Sequence, residues 1–223
     1  MQCTISFFLF FLLNFVLVQA QPNEIEKKFI RAGLVDVSTI DSTIKVDLVN
    51  SDPKKNFFRE NYYSGLKKAY LQKEVAMKLA KAQKFLKEQH PSFFLQILDA
   101  ARPRSVSQAM YNKVTGTQFE RYVAHPEKGS MHNYGVAVDI TIVDKNAHEL
   151  DMGFSPFKKN TVQIYWEYAK KKLGKKLTEK QKRNRRLLST TMKHAGFFPL
   201  SFEWWHFNGI EKEKARNLYN IIE

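Results

Sequence analysis

In the stretch Ser130-Met131-His132-Asn133-Tyr134-Gly135-Val136-Ala137-Val138-Asp139-Ile140-Thr141-Ile142-Val143, the branched residues Val136, Val138, Ile140 and Ile142 alternate with Ala137, Asp139, Thr141 and Val143. A period of two predicts a strand, with Asp139 on its less apolar face, and Gly135 ahead of it suits a turn or a close backbone approach. Working outward, Phe93 to Leu98 is a short apolar run after Pro91 that reads as a buried strand leading into Asp99-Ala100-Ala101-Arg102-Pro103. A short helix is expected after Pro103. Ile44 to Val49 alternates and predicts a half-buried strand. From Tyr63 to Glu88, Leu66, Tyr70, Val75, Leu79, Ala82, Phe85 and Leu86 recur at helical spacing, which predicts an amphipathic helix stopped by Pro91. Thr178 with Gln181 three residues on is a capping box for a helix ending at Gly196. Interleaved helices and strands without an internal repeat or linker predict one α+β domain, a small antiparallel sheet flanked by helices.

The chain has 223 residues, 43% of them hydrophobic, and too few Gly (9) and Pro (7) for a fibrous or disordered protein. Its single cysteine, Cys3, excludes an intramolecular disulfide, a Cys-based zinc finger and an iron–sulfur site from the folded body. Any metal must be held by His and carboxylates. Ile5 to Val18 is apolar except for Asn14 and is followed by Val18-Gln19-Ala20, which fits a signal-peptidase site. Residues 1–20 are therefore expected to be a leader cut before Gln21, leaving 21–223 as the exported domain, periplasmic or extracellular. The run is short of the roughly 18–20 residues a spanning helix needs, so no stable membrane span is expected after cleavage.

The formal charge of +14 is concentrated between Tyr168 and Leu188, where ten Lys/Arg meet one Glu. No aromatic residue interleaves the basic ones after Tyr168 and no nucleic-acid-binding signature appears, so a solvated helix face is favoured over nucleic acid as a partner.

The chemistry lies in two segments. His132 and Asp139 stand in the first, and Glu203-Trp204-Trp205-His206 forms the second. Zinc in hydrolases takes three His or carboxylate ligands and keeps a fourth position for water, and His132, Asp139 and His206 fit that inventory. Glu203 is left as the base that takes a proton from water and returns it to the leaving amine. It reaches the site if the chain turns between Glu203 and His206; on a regular strand the two would face opposite ways. His90, His125, His148 and His194 have no ligand-like spacing and are read as ordinary side chains. At least one of Trp204 and Trp205 is read as core.

Ser130-x-His132-x-x-Gly135-x-Ala137-x-Asp139 with Glu203-x-Trp205-His206 resembles the paired signature of the zinc D-alanyl-D-alanine dipeptidases and related carboxypeptidases, the VanX-like M15 metallopeptidases. The resemblance extends to Asp99-Ala100-Ala101-Arg102-Pro103, Asp151-Met152-Gly153 and Asn184-Arg185-Arg186-Leu187-Leu188, roughly residues 40 to 210. It implies a single metallopeptidase domain, one Zn²⁺ on His132, Asp139 and His206, Glu203 as general base, and Arg102 steadying the oxyanion of the tetrahedral intermediate. A guanidinium suits that last role because it stays charged and presents a fixed fork of donors. The implied substrate is D-Ala-D-Ala or a peptidoglycan-derived peptide.

Two departures bear on specificity. Where the resemblance leads one to expect an acid that receives the dipeptide's ammonium, this chain has Lys158. A cation there repels a cationic substrate end, so either Asp151 or Glu149 takes over or the substrate has no free amine at that place. The connection from Arg102 to His132 is also short, which would open the cleft to longer substrates. Two enzyme readings follow, a D-Ala-D-Ala dipeptidase and a D,D-carboxypeptidase or endopeptidase of peptidoglycan stem peptides. A third is a noncatalytic zinc-stabilised envelope protein, against which stands the joint presence of Glu203, Arg102 and all three candidate ligands.

Overall fold

The computed structural model describes residues 22–117, 119–120, 123–153, 176–201 and 203–223. The expected leader, residues 1–20, and Lys158 lie outside these residues. In chain order the elements are α1 (Glu24–Arg31), β1 (Val35–Asp36), β2 (Lys45–Val46), β3 (Tyr70–Leu71), α2 (Lys73–Gln89), β4 (Phe94–Asp99), α3 (Arg104–Val114), β5 (Ala137–Val143), α4 (Glu179–His194), β6 (Phe198–Pro199), β7 (His206–Asn208) and α5 (Lys212–Leu218).

Five strands form one sheet in the order β2-β4-β5-β7-β6, and β1 pairs with β3 in a separate ribbon. Every pairing in the large sheet is antiparallel except the β2–β4 edge, which is parallel. The fold is thus the expected α+β arrangement. β5 sits at its centre and is buried at all seven positions, because alternation of Val138, Ile140 and Ile142 with Ala137, Thr141 and Val143 leaves both faces able to pack. Burying a branched side chain of this size contributes about 1.5–3 kcal/mol, so β5 anchors what lies at its ends. On one flank α2 packs against β4 and α4. It turns Val75, Ala76, Leu79, Ala82 and Leu86 inward. The capping box of α4 is present with Thr178 as N-cap, and Gly196 follows the helix with φ +83°. Among the described residues no helix is long and apolar enough to cross a membrane.

Two expected elements are shorter than their patterns. The helix read over Tyr63 to Glu88 begins only at Lys73, because Ser64 and Gly65 have positive φ and Tyr70–Leu71 is a strand paired with β1. The strand read over Ile44 to Val49 is reduced to Lys45–Val46, and Val49–Ser51 closes into a 3₁₀ turn. Both departures deliver a polar side chain to the site: Tyr63 in the first case, Asn50 in the second.

Candidate active site

The sheet register builds most of the site. Asp99 on β4 is paired with Asp139 on β5, and Asp139 is paired with His206 on β7, so three adjacent strands set these residues in one row. His132 comes from a 3₁₀ turn, Met131–Tyr134, just before β5. Ser130 caps that turn, and Asn133 closes the capping box. Gly135 ends it at φ +67°, and a Cβ there would lie 2.8 Å from Leu34 Cδ2, so both conformation and space call for glycine. Glu203 reaches the row through a turn: the N–H of His206 donates to the carbonyl of Glu203 at 3.2 Å, and regular strand begins only at His206.

His132 Nε2, Asp139 Oδ1 and His206 Nδ1 converge. Their separations are 3.2 Å between the two nitrogens, 3.1 Å from His206 Nδ1 to Asp139 Oδ1 and 3.4 Å from His132 Nε2 to Asp139 Oδ1. All three residues are buried. The partners on the far side of each ring fix what these atoms are. His132 Nδ1 lies 2.6 Å from the carbonyl oxygen of Ala100, which can only accept, so Nδ1 carries the hydrogen and Nε2 presents a lone pair. His206 Nε2 lies 2.9 Å from Asn208 Oδ1, which leaves Nδ1 with its lone pair. Two nitrogen lone pairs and a carboxylate oxygen then face one another at contact distance, an arrangement that a cation among them would satisfy. For zinc with ligands at about 2.0–2.1 Å, a tetrahedral face has edges of about 3.3–3.4 Å, close to the triangle found here. The donor set fits Zn²⁺.

Electrostatics agree with the geometry. Burial alone would raise the pKa of Asp139, but positive charge at the ring nitrogens of His132 and His206 outweighs it and holds the carboxyl well below the usual range, so the cluster is one that favours a bound cation. Glu203 is nearly enclosed, with Oε2 4.0 Å from His206 Nδ1. Burial, reinforced by Asp139, pushes its pKa up to about 7. Arg102 Nε donates to Asp99 Oδ2 at 3.0 Å, Nη2 also donates to Oδ2, and Nη2 lies 3.9 Å from Asp139 Oδ2. Burial opposes its charge, but Asp99 and Asp139 together hold the guanidinium firmly ionised. The backbone ties the same parts together, since the N–H of Arg102 donates to the carbonyl of His132 and Asn133 Nδ2 donates to the carbonyl of Arg102.

All five residues singled out in the sequence, Arg102, His132, Asp139, Glu203 and His206, therefore meet. The other histidines do not join them: His194 stacks on Phe85, His90 stacks on Phe93, His125 meets Tyr111 edge-on and His148 lies beside Asp144. Trp205 is core, and Trp204 lies under the Arg185 guanidinium at 5.5 Å. Of the two acids considered as ammonium receivers, Asp151 accepts from Gly153 N and from Gln181 Nε2, and Glu149 accepts from Thr141 Oγ1. Asn184 Nδ2 and Arg185 Nε donate to the carbonyls of Asp151 and Met152, so the Asn-Arg-Arg-Leu-Leu segment fastens this loop to α4.

The residues missed in the sequence are Asn208, Asp99, Asn50 and Tyr63. Asn208 is expected to act on metal binding. Asn208→Ala should weaken zinc affinity by about 10–100-fold, measured by chelator competition, because the imidazole loses the partner that sets its tautomer. Unchanged affinity would contradict that assignment.

Comparison with known proteins follows the same direction. The family model for the D-ala-D-ala dipeptidases among the M15 peptidases matches residues 31–223. The chain is 31% identical over 115 residues to the D-alanyl-D-alanine dipeptidase of Escherichia coli (strain K12), covering 51% of this chain and 53% of that protein. The match thus spans about half the length of the E. coli relative. It is 27% identical over 176 residues to the D-alanyl-D-alanine dipeptidase of a Synechocystis strain, covering 66% of this chain and 71% of that one. Among solved structures it is similar to the LD-carboxypeptidase LdcB, with a TM-score of 0.39 and 17% identity over 67% of this chain and 63% of that one.

Proposed function

The chain belongs to the D-Ala-D-Ala dipeptidase family of M15 peptidases, and from that premise we propose that it hydrolyses D-alanyl-D-alanine to two D-alanines with one zinc ion held by His132, Asp139 and His206. The observation that carries the reading is the triangle of three lone-pair donors at 3.1–3.4 Å with Glu203 beside it. Zinc, when bound, supplies a Lewis acid for the scissile carbonyl and lowers the pKa of water to about 7. Glu203 takes the proton of the attacking water and delivers it to the leaving amine, a role suited by a largely buried carboxyl with Oε2 4.0 Å from His206 Nδ1. Arg102 faces the negative charge that develops on the carbonyl oxygen, and its anchorage on Asp99 means that little reorganisation is needed as the charge forms. Arg102→Ala is expected to lower kcat by about 10²–10³-fold with zinc retained, as for the loss of an oxyanion donor.

The apolar run over residues 5–18 and Val18-Gln19-Ala20 support export of the domain, which would place it where peptidoglycan-derived peptides occur. A second reading, a D,D-carboxypeptidase of stem peptides, is favoured by Lys158 together with the engagement of Asp151 by Gln181 and of Glu149 by Thr141. The deciding assay is D-alanine release from free D-Ala-D-Ala beside release from an N-acylated peptide ending in D-Ala-D-Ala. Preference for the free dipeptide is expected. Preference for the acylated peptide would transfer the protein to the second reading, and turnover of neither would contradict both.

A further inference from the structure

Asp99 is fully buried, yet it is neither a candidate metal ligand nor the candidate base. Its carboxylate accepts five hydrogen bonds. Oδ1 takes the Tyr63 hydroxyl at 2.7 Å and the Ala100 N–H at 3.0 Å, while Oδ2 takes Asn50 Nδ2 at 3.0 Å and both Nε and Nη2 of Arg102. Tyr63 and Asn50 come from 36 and 49 residues away in the chain, so they are brought to Asp99 by the fold. Asp99 stands opposite Asp139 in the β4–β5 register, and like charges directly opposed across two strands are destabilising. The guanidinium of Arg102 sits with Nη2 on Asp99 and 3.9 Å from Asp139, which resolves the repulsion and fixes the cation against the candidate metal cluster. Burial and Asp99 push the Tyr63 phenol pKa well up, so Tyr63 stays a hydrogen-bond donor to Asp99.

We propose that Asp99, locked by Tyr63 and Asn50, is the positioning residue that aims Arg102 at the oxyanion. This rests on the role given to Arg102 above. A guanidinium on a flexible stem loses most of its value if it must be ordered during the reaction, and displacement by about 1 Å can cost on the order of 10²-fold in rate. Asp99 therefore acts on the transition state and leaves ground-state binding nearly untouched.

The test is a double-mutant cycle on the full zinc-loaded chain, comparing Asp99→Asn, Arg102→Ala and the double variant. Zinc stoichiometry and a far-UV spectrum are recorded for each. Asp99→Asn is expected to lower kcat about 10–100-fold at nearly constant KM. It should weaken binding of a phosphinate analogue of D-Ala-D-Ala, which mimics the tetrahedral anion, by a similar factor. In the Arg102→Ala background the same substitution should cost almost nothing further. Full kcat in Asp99→Asn, or an equal loss in both backgrounds, overturns the proposal. Full turnover in Arg102→Ala alone removes the oxyanion role beneath it, a failure read from a different variant. If Asp99→Asn does not fold, Asn50→Ala and Tyr63→Phe carry the test. Each should lower kcat several-fold at constant KM, and unchanged kcat in both overturns it.

Discussion

Glu203→Gln is expected to lower turnover by about 10²–10⁴-fold while the protein still binds zinc, the range associated with a positioned general base. The amide keeps the shape and loses the ability to take a proton. The same substitution should have the opposite effect on stability. In the metal-free protein the folded-state pKa of Glu203 is about 7 against an ordinary 4.5, raised by burial and by Asp139. A carboxyl raised in this way contributes its stability fully below about pH 4.5 and loses it as pH rises through about 7. Metal-free Glu203→Gln escapes that loss, so it should melt above the wild type at pH 8 and close to it at pH 4.5. Activity runs the other way, rising with pH as the carboxyl ionises. Circular dichroism melts at the two pH values and a pH profile of kcat/KM check both halves. A variant that keeps full turnover, or that melts below the wild type at pH 8, would show that Glu203 is a structural acid.

The second large effect belongs to the ligand cluster. His132→Ala removes one corner of a triangle whose edges are 3.2, 3.4 and 3.1 Å, leaving one nitrogen and one carboxylate oxygen. The loss of zinc affinity should exceed the about 10–100-fold associated with an outer hydrogen-bond partner, and turnover should vanish with it. Thermal stability supplies an independent readout. A ligand present at 1,000 times its Kd stabilises the native state by about 4 kcal/mol, so zinc should raise the wild-type melting temperature by several degrees. The variant should show no such shift. An unchanged zinc-dependent shift in His132→Ala would place the metal elsewhere.

What the sequence discloses here follows from how periodic each feature is. β5 and the start of α4 were legible, because strict alternation and a capping box are local signals that tertiary packing then reinforces. His132, Asp139 and His206 could be singled out because a metal narrows the choice of residue types, and the structure brings their donor atoms together. The turn at Glu203 was left open by the sequence, since only the pairing of β7 with β5 decides where strand geometry begins. Leu66 and Tyr70 continue the apolar spacing of α2 toward Tyr63 yet lie outside the helix, because pairing of Tyr70–Leu71 with β1 and the burial of Tyr63 on Asp99 win over local periodicity. Asn208, Asn50 and Asp99 were invisible for a different reason. A polar residue that orients a ligand or an arginine needs no particular spacing in sequence, only a place across the sheet. The one available hint was the acid three residues before Arg102 in Asp99-Ala100-Ala101-Arg102.

The most direct measurement is D-alanine release from D-Ala-D-Ala by protein stripped of metal and then titrated with zinc. Activity absent from the stripped protein and rising linearly to a plateau at one zinc per chain is the predicted result. Turnover in the stripped protein, or none at any zinc level, would contradict a centre built from His132, Asp139, His206 and Glu203.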